Sequence, residues 1–153
     1  MKKFVFQLDA LYQVKRARKD QLQKEYSEAA ALYQAALEKK DALDSALEAE
    51  SVRYEARAKK GMTAGELLAG SAFFADLQKR RKSAAADAER ARRHAEGRQR
   101  ELLEAFQDIK ALEKLQDKQY EAYLAEEGKQ ETSRIEDMLS FSLSGQAQIP
   151  AGG

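Results

Sequence analysis

Few side chains in this sequence are spaced for chemistry. His94 is the only histidine among 153 residues, and there is no cysteine. An imidazole acts as a base or a metal ligand only when other groups hold and complete it. Around His94 stand Arg92, Arg93, Ala95 and Glu96, which supply no such set. Carboxylates are plentiful but scattered over polar faces. A general acid needs a pKa raised by desolvation, and nothing here encloses one. Gly61, Gly65 and Gly70 lack the spacing and the lysine of a phosphate-binding loop. The run Lys79-Arg80-Arg81-Lys82 could attract RNA, but no stacking aromatics interleave with it as single-strand readers require. The expectation is therefore no catalytic residue, no cofactor, no metal, no nucleic-acid partner and no enzyme. Two aromatic features point to protein contact instead. Tyr12, Tyr26, Tyr33 and Tyr54 are separated by multiples of seven, the spacing of a packed seam or of a partner-facing stripe. Phe73 adjoins Phe74, and only one of the two can face a partner helix, so Phe73 is a candidate surface anchor.

The elements that carry these residues read as long helices. Charged residues make up 35% of the chain, aromatics 8%, and the single proline is Pro150. That is the composition of a coiled coil. The net charge of +1 gives no global attraction for nucleic acid or an anionic membrane. No apolar run approaches the roughly 18 residues of a membrane span, so direct membrane insertion is not expected. Gln7 and Asp9 interrupt the apolar start, which argues against a signal peptide. The expected location is cytoplasmic.

The expected fold is all-α, a long antiparallel two-helix coiled coil over residues 1–139. Helix 1 spans about 4–60, a bend falls at 61–71, and helix 2 spans about 72–139. Gly61 can end a helix in the left-handed conformation. Thr63 and Glu66 form a capping box that starts another, and Gly70-Ser71 is a further candidate bend. Helix 1 opens with Phe4, Leu8, Leu11 and Val14. A four-three seam then follows through Leu22, Tyr26, Ala29, Tyr33, Ala36, Lys40, Leu43, Leu47, Glu50 and Tyr54. In helix 2 the seam is Phe74, Leu77, Arg81, Ala84, Ala88, Ala91, Ala95, Arg98, Leu102, Ala105, Ile109, Leu112, Gln116, Gln119 and Tyr123. Gly97 and Gly128 are expected soft points. Residues 140–153 carry no charge and read as a flexible tail. Charge supports the antiparallel pairing: Glu38, Asp41, Asp44, Glu48, Glu50 and Glu55 would meet Lys79, Arg80, Arg81, Lys82, Arg90, Arg92 and Arg93. At the open end Lys15, Arg16, Arg18 and Lys19 would face Glu113, Asp117 and Glu121.

Three stretches together resemble the flagellar export protein FliJ family. They are Lys3-Phe4-x-Phe6-x-Leu8, then Phe73-x-x-x-Leu77 after the bend, then Ala111 to Tyr123 followed by Glu126-Glu127-x-Lys129-Gln130-Glu131. The resemblance runs from residue 3 to about 139. It implies a stalk similar to that of rotary ATPases, working in flagellum biogenesis, type III protein export, motility and chemotaxis. It implies a seat in the pore of the hexameric flagellar export ATPase, contact with the cytoplasmic ring of the export gate, and handling of export chaperones. The place implied is the cytoplasmic face of the inner membrane at the flagellar base. By resemblance Phe73 and Leu77 would meet the gate. Lys15, Arg16, Arg18, Lys19, Leu112, Leu115 and Tyr123 are the candidates for the ATPase ring. The chain alone is expected to be a monomer. The alternatives are the stalk of an injectisome or a rotary ATPase, and a motor-independent coiled-coil export chaperone.

Overall fold

The computed structural model describes residues 2–147. Among them it has two helices and no strand. Helix α1 is Asp9–Lys60 and helix α2 is Ala64–Ala147, and the two pack against each other as a helical hairpin. Asp9 sits in the first turn of α1, with Arg57, Lys59 and Lys60 in its last, each sign placed where the helix dipole favours it.

The turn between the helices is shorter than 61–71. Gly61 has φ +97°, and its N–H donates to the Ala58 carbonyl at 3.2 Å, which ends α1 as a left-handed glycine cap. Thr63 then caps α2. Its Oγ1 accepts from Glu66 N–H at 3.2 Å, and Glu66 Oε2 accepts from Thr63 N–H at 3.4 Å. Gly70 and Ser71 are helical. The reason for a glycine at 70 is a close approach, not a bend. A Cβ built there would stand 2.8 Å from Tyr54 Cδ2 and closer still to Cε2. The Tyr54 ring lies over the bare backbone and meets Phe74 edge-on, with ring centroids 5.5 Å apart.

Helix α1 begins at Asp9, not at about Phe4. Before it, burial alternates: Phe4 half-buried, Val5 exposed, Phe6 buried, Gln7 exposed, Leu8 half-buried. A period of two does not fit a helix, and residues 2–8 form a non-helical strap. At the other end α2 runs past Leu139 to Ala147. No proline precedes Pro150, and each added helical residue gains a backbone hydrogen bond. The rest of the expected tail, 148–153, lies outside the described residues.

By contacts the chain divides into two units, Met1–Arg16 with Gln107–Gly153, and Ala17–Phe106. In Ala17–Phe106, Leu22 and Ala29 of α1 are buried, as are Leu77, Ala84, Ala88, Ala95 and Ala105 of α2. Tyr26, Tyr33, Leu43, Leu47 and Tyr54 are half-buried at four-three spacing between and beyond them. Alanine lets two helices come close but removes little apolar area, at about 25 cal/mol per Å². Leu22 and Leu77 therefore contribute more than their number suggests. Arg81 departs from the expected seam. It is exposed and reaches Asp44 across the helix pair.

In the other unit, Phe6 and Ile109 are buried, with Leu112, Gln116, Gln119 and Tyr123 half-buried along α2. Leu11 and Val14, expected inside, are 43% and 65% exposed. Counting back from Leu22 in steps of three and four gives Lys19, Lys15 and Tyr12, all half-buried. One continuous helix keeps one phase, and the phase prevails over the apolar character of Leu11 and Val14.

Two glycines separate crowding from propensity. Gly65 has nothing within 4 Å of its added Cβ, so Gly65→Ala should stabilise by up to about 1 kcal/mol through helix propensity. Gly70→Ala must move the Tyr54 ring and should destabilise by about 1–3 kcal/mol. Urea unfolding of the two variants checks this; midpoints shifted in the same direction would refute the close-approach account.

Candidate protein-interaction surfaces

Within Ala17–Phe106, the Phe73-x-x-x-Leu77 pair divides. Phe73 is 48% exposed, whereas Leu77 is buried in the seam. Tyr54 holds the adjacent Phe74 inward, and that turns Phe73 out. Leu67, Leu68 and Val52 are also exposed in this unit. Only Phe73 of the pair is therefore free to meet another protein, and Leu77 acts by fixing the helix that presents it.

The basic residues of α2 spend their charge differently from expectation. Arg81 crosses to Asp44, and Arg98 Nη1 lies 3.3 Å from Glu25 Oε2. That carboxylate oxygen is buried and not aligned for a hydrogen bond, so the attraction is ionic. Four others pair along their own helix: Arg80 with Asp76 at 3.0 Å, Arg90 with Asp87, Arg93 with Glu89 at 3.2 Å, and Arg92 with Glu89 and Glu96. Neighbours three and four residues away are reachable without fixing a second helix. Hydrogen bonds from Arg92, then its charge and the contacts of Arg93, outweigh desolvation and hold the Glu89 carboxyl down from 4.5 to about 2. Arg92 is raised correspondingly, chiefly by its hydrogen bonds to Glu89 and Glu96.

The four open-end cations have separate surroundings. In Ala17–Phe106, Lys19 packs its ammonium 5.6 Å from the centre of the Phe106 ring and 2.8 Å from Asp20, and Arg18 is exposed. In the other unit Lys15 pairs with Asp108 at 3.2 Å, not with Glu113, Asp117 or Glu121. Glu113 instead accepts from the Tyr12 hydroxyl at 3.0 Å. Arg16 is exposed and lies over the Tyr12 ring. Leu112 is half-buried and Leu115 is 38% exposed. Tyr123 is covered by the strap. Its hydroxyl donates to the Lys2 carbonyl, and the Phe4 ring lies 5.5 Å away. Arg16, Arg18 and Leu115 are thus offered to solvent, while Lys15 and Lys19 hold their own chain.

The strap escaped the helical reading. The Phe4-x-Phe6-x-Leu8 alternation was the signal that could have found it. His94 is exposed on α2. Among the described residues no group of three or more His, Cys, Asp or Glu could hold a metal ion, and no helix is long and apolar enough to cross a membrane.

Compared with known families, residues 3–146 match the model described as Flagellar FliJ protein. Neither the curated proteins nor the solved structures gave a match.

The Glu89 cluster makes the helix sensitive to acid. A carboxyl with a lowered pKa contributes stability that is present above its ordinary 4.5 and is lost as pH falls toward about 2. Circular dichroism between those values should show a loss of helicity for the native chain that Glu89→Gln reduces. Superimposable titrations would remove the cluster as a stabilising element.

Proposed function

This chain belongs to the flagellar FliJ family, and from that premise we propose that it is the stalk that couples the hexameric flagellar export ATPase to the export gate. The family is a non-catalytic component of flagellar protein export. The finer assignment rests on one observation above others. Helix α2 has 84 residues against 52 in α1, and every described side chain from Gly128 to Gly145 is exposed. Ile135, Met138 and Leu139 are among them. A helix kept this bare, with apolar residues on it, is suited to a surrounding partner. In this reading the ring takes the end of α2 together with Arg16 and Leu115, and Arg18 is a separate contact in Ala17–Phe106. Lys15, Lys19 and Leu112 keep the pairing beneath, and the strap lies over Tyr123. Phe73 contacts the cytoplasmic ring of the gate, and export chaperones bind in turn. The place of action is the cytoplasmic face of the inner membrane. A ring subunit responds to a stalk only if its states bind the stalk differently. Arg16 and Arg18, two residues apart and so on different faces of α1, offer such a difference to different subunits.

ATP turnover by the export ATPase tests the first half. The native chain should raise it, and Arg16→Glu with Arg18→Glu should reduce that rise at least about fivefold, a coupling loss of about 1 kcal/mol. Equal turnover with and without the native chain would sink the stalk reading in favour of a motor-independent export chaperone.

Gate binding tests the second half. Phe73→Ala should weaken it by about 2 kcal/mol, the loss typical of an aromatic anchor, with little change in melting. Leu77→Ala should instead destabilise the fold by about 2–4 kcal/mol. Undiminished gate binding by Phe73→Ala would remove this contact.

A further inference from the structure

The strap partly covers a surface already shaped like a protein interface. Against it on α2, Tyr120, 45% exposed, and half-buried Tyr123 lie with ring centroids 6.1 Å apart and planes 26° from parallel. Phe4 meets Tyr120 edge-on at 5.1 Å. Beside the strap is an open groove of about 610 Å³, and Gln119, Glu126, Glu127 and Gln130 of α2 contribute to its walls. Aromatic rings at the centre and polar groups at the rim are the anatomy of a binding hot spot.

The strap is lightly held. At its root the Asp9 N–H donates to the Phe6 carbonyl at 3.1 Å. Further out, Phe6 is its one buried side chain, and Val5 is 74% exposed. The Tyr123 hydroxyl grips the strap backbone at Lys2. A short non-helical segment anchored by one buried side chain and two half-buried ones, Phe4 and Leu8, can open locally without the rest of the fold.

We infer that residues 2–8 are a detachable cap over an interaction surface formed by Tyr120 and Tyr123, and that the ATPase ring binds by displacing the cap. This rests on the stalk reading above. The occupant is a basic-aromatic segment of the ring. Glu126 and Glu127 on the groove wall favour cations, and the aromatic pair favours an aromatic residue. The strap carries the same chemistry in Lys2, Lys3 and Phe4 and so competes for the same place. A closed cap lowers apparent affinity by the fraction of molecules that are open. A cap open in about one molecule in ten weakens binding about tenfold.

The chain has no tryptophan and no cysteine, so reporters can be placed cleanly in the full-length protein. In Phe4→Trp the indole should shift its emission to the red as the export ATPase binds. Adding Phe6→Ala should give that red shift before binding and tighten binding about tenfold, with helicity retained. In a second arm, Gln7→Cys and Gln119→Cys, both on the groove wall and outside the tyrosine pair, are bridged by a thiol-reactive linker that reduction cleaves, which holds the cap closed. The closed form should bind at least tenfold more weakly than the same protein reduced. Binding with an unmoved indole, or equal binding by the closed and reduced forms, overturns the cap while leaving the stalk intact. A native chain and a Phe6→Ala variant that both fail to bind the ATPase overturn the stalk reading and the cap with it.

Discussion

A seam built largely from alanine forces two helix backbones close together and leaves little space for anything irregular between them. In Ala17–Phe106 that constraint sets the terms for every larger side chain. Leu22 and Leu77 are buried where the seam admits them. Arg81 is pushed outward to Asp44. Tyr54 finds room only because residue 70 has no side chain. The phase of the seam also decides which charges become structural. Lys15 and Lys19 occupy seam positions and are matched there with Asp108 and with Asp20 and Phe106. Arg16 and Arg18, one residue to either side of the seam, are left exposed.

This division explains what the sequence could and could not reveal. From Leu22 onward, four-three spacing located the seam of α1 correctly, because a regular helix converts spacing directly into a face. The capping box at Thr63 and Glu66 was equally readable, since its bonds are local. Phe4, Leu8, Leu11 and Val14 satisfy a helical spacing by apolarity alone, and that hides the strap over residues 2–8. The alternation of Phe4, Phe6 and Leu8 within the same stretch carried the better signal. The role of Gly70 is hidden in another way. A glycine that admits a neighbour's ring looks the same in sequence as one that turns the chain.

The surfaces were harder to read than the fold. The Phe73–Leu77 pair is one pattern in sequence but two environments in space, since a few tens of degrees around a helix separate a buried leucine from an exposed phenylalanine. Charge complementarity suggested the antiparallel pairing, yet most arginines of α2 settled on partners in their own helix. Exposed ion pairs contribute little, so the nearest carboxylate suffices. The covering of Tyr123 depends on a non-helical segment 121 residues away in sequence, and no local spacing rule reaches that far.

The contact between Tyr54 and Gly70 has a bearing on how this chain can vary. The two positions share one volume, so neither can change freely. Any side chain at position 70 calls for a smaller one at position 54, and loss of the ring at 54 leaves a hollow that a methyl group at 70 would fill. Related chains should therefore show the two positions substituted together. An aligned family in which 54 shrinks wherever 70 grows would carry the mark of this packing in its correlated variation, and Phe74, which leans on the same ring, should change with them.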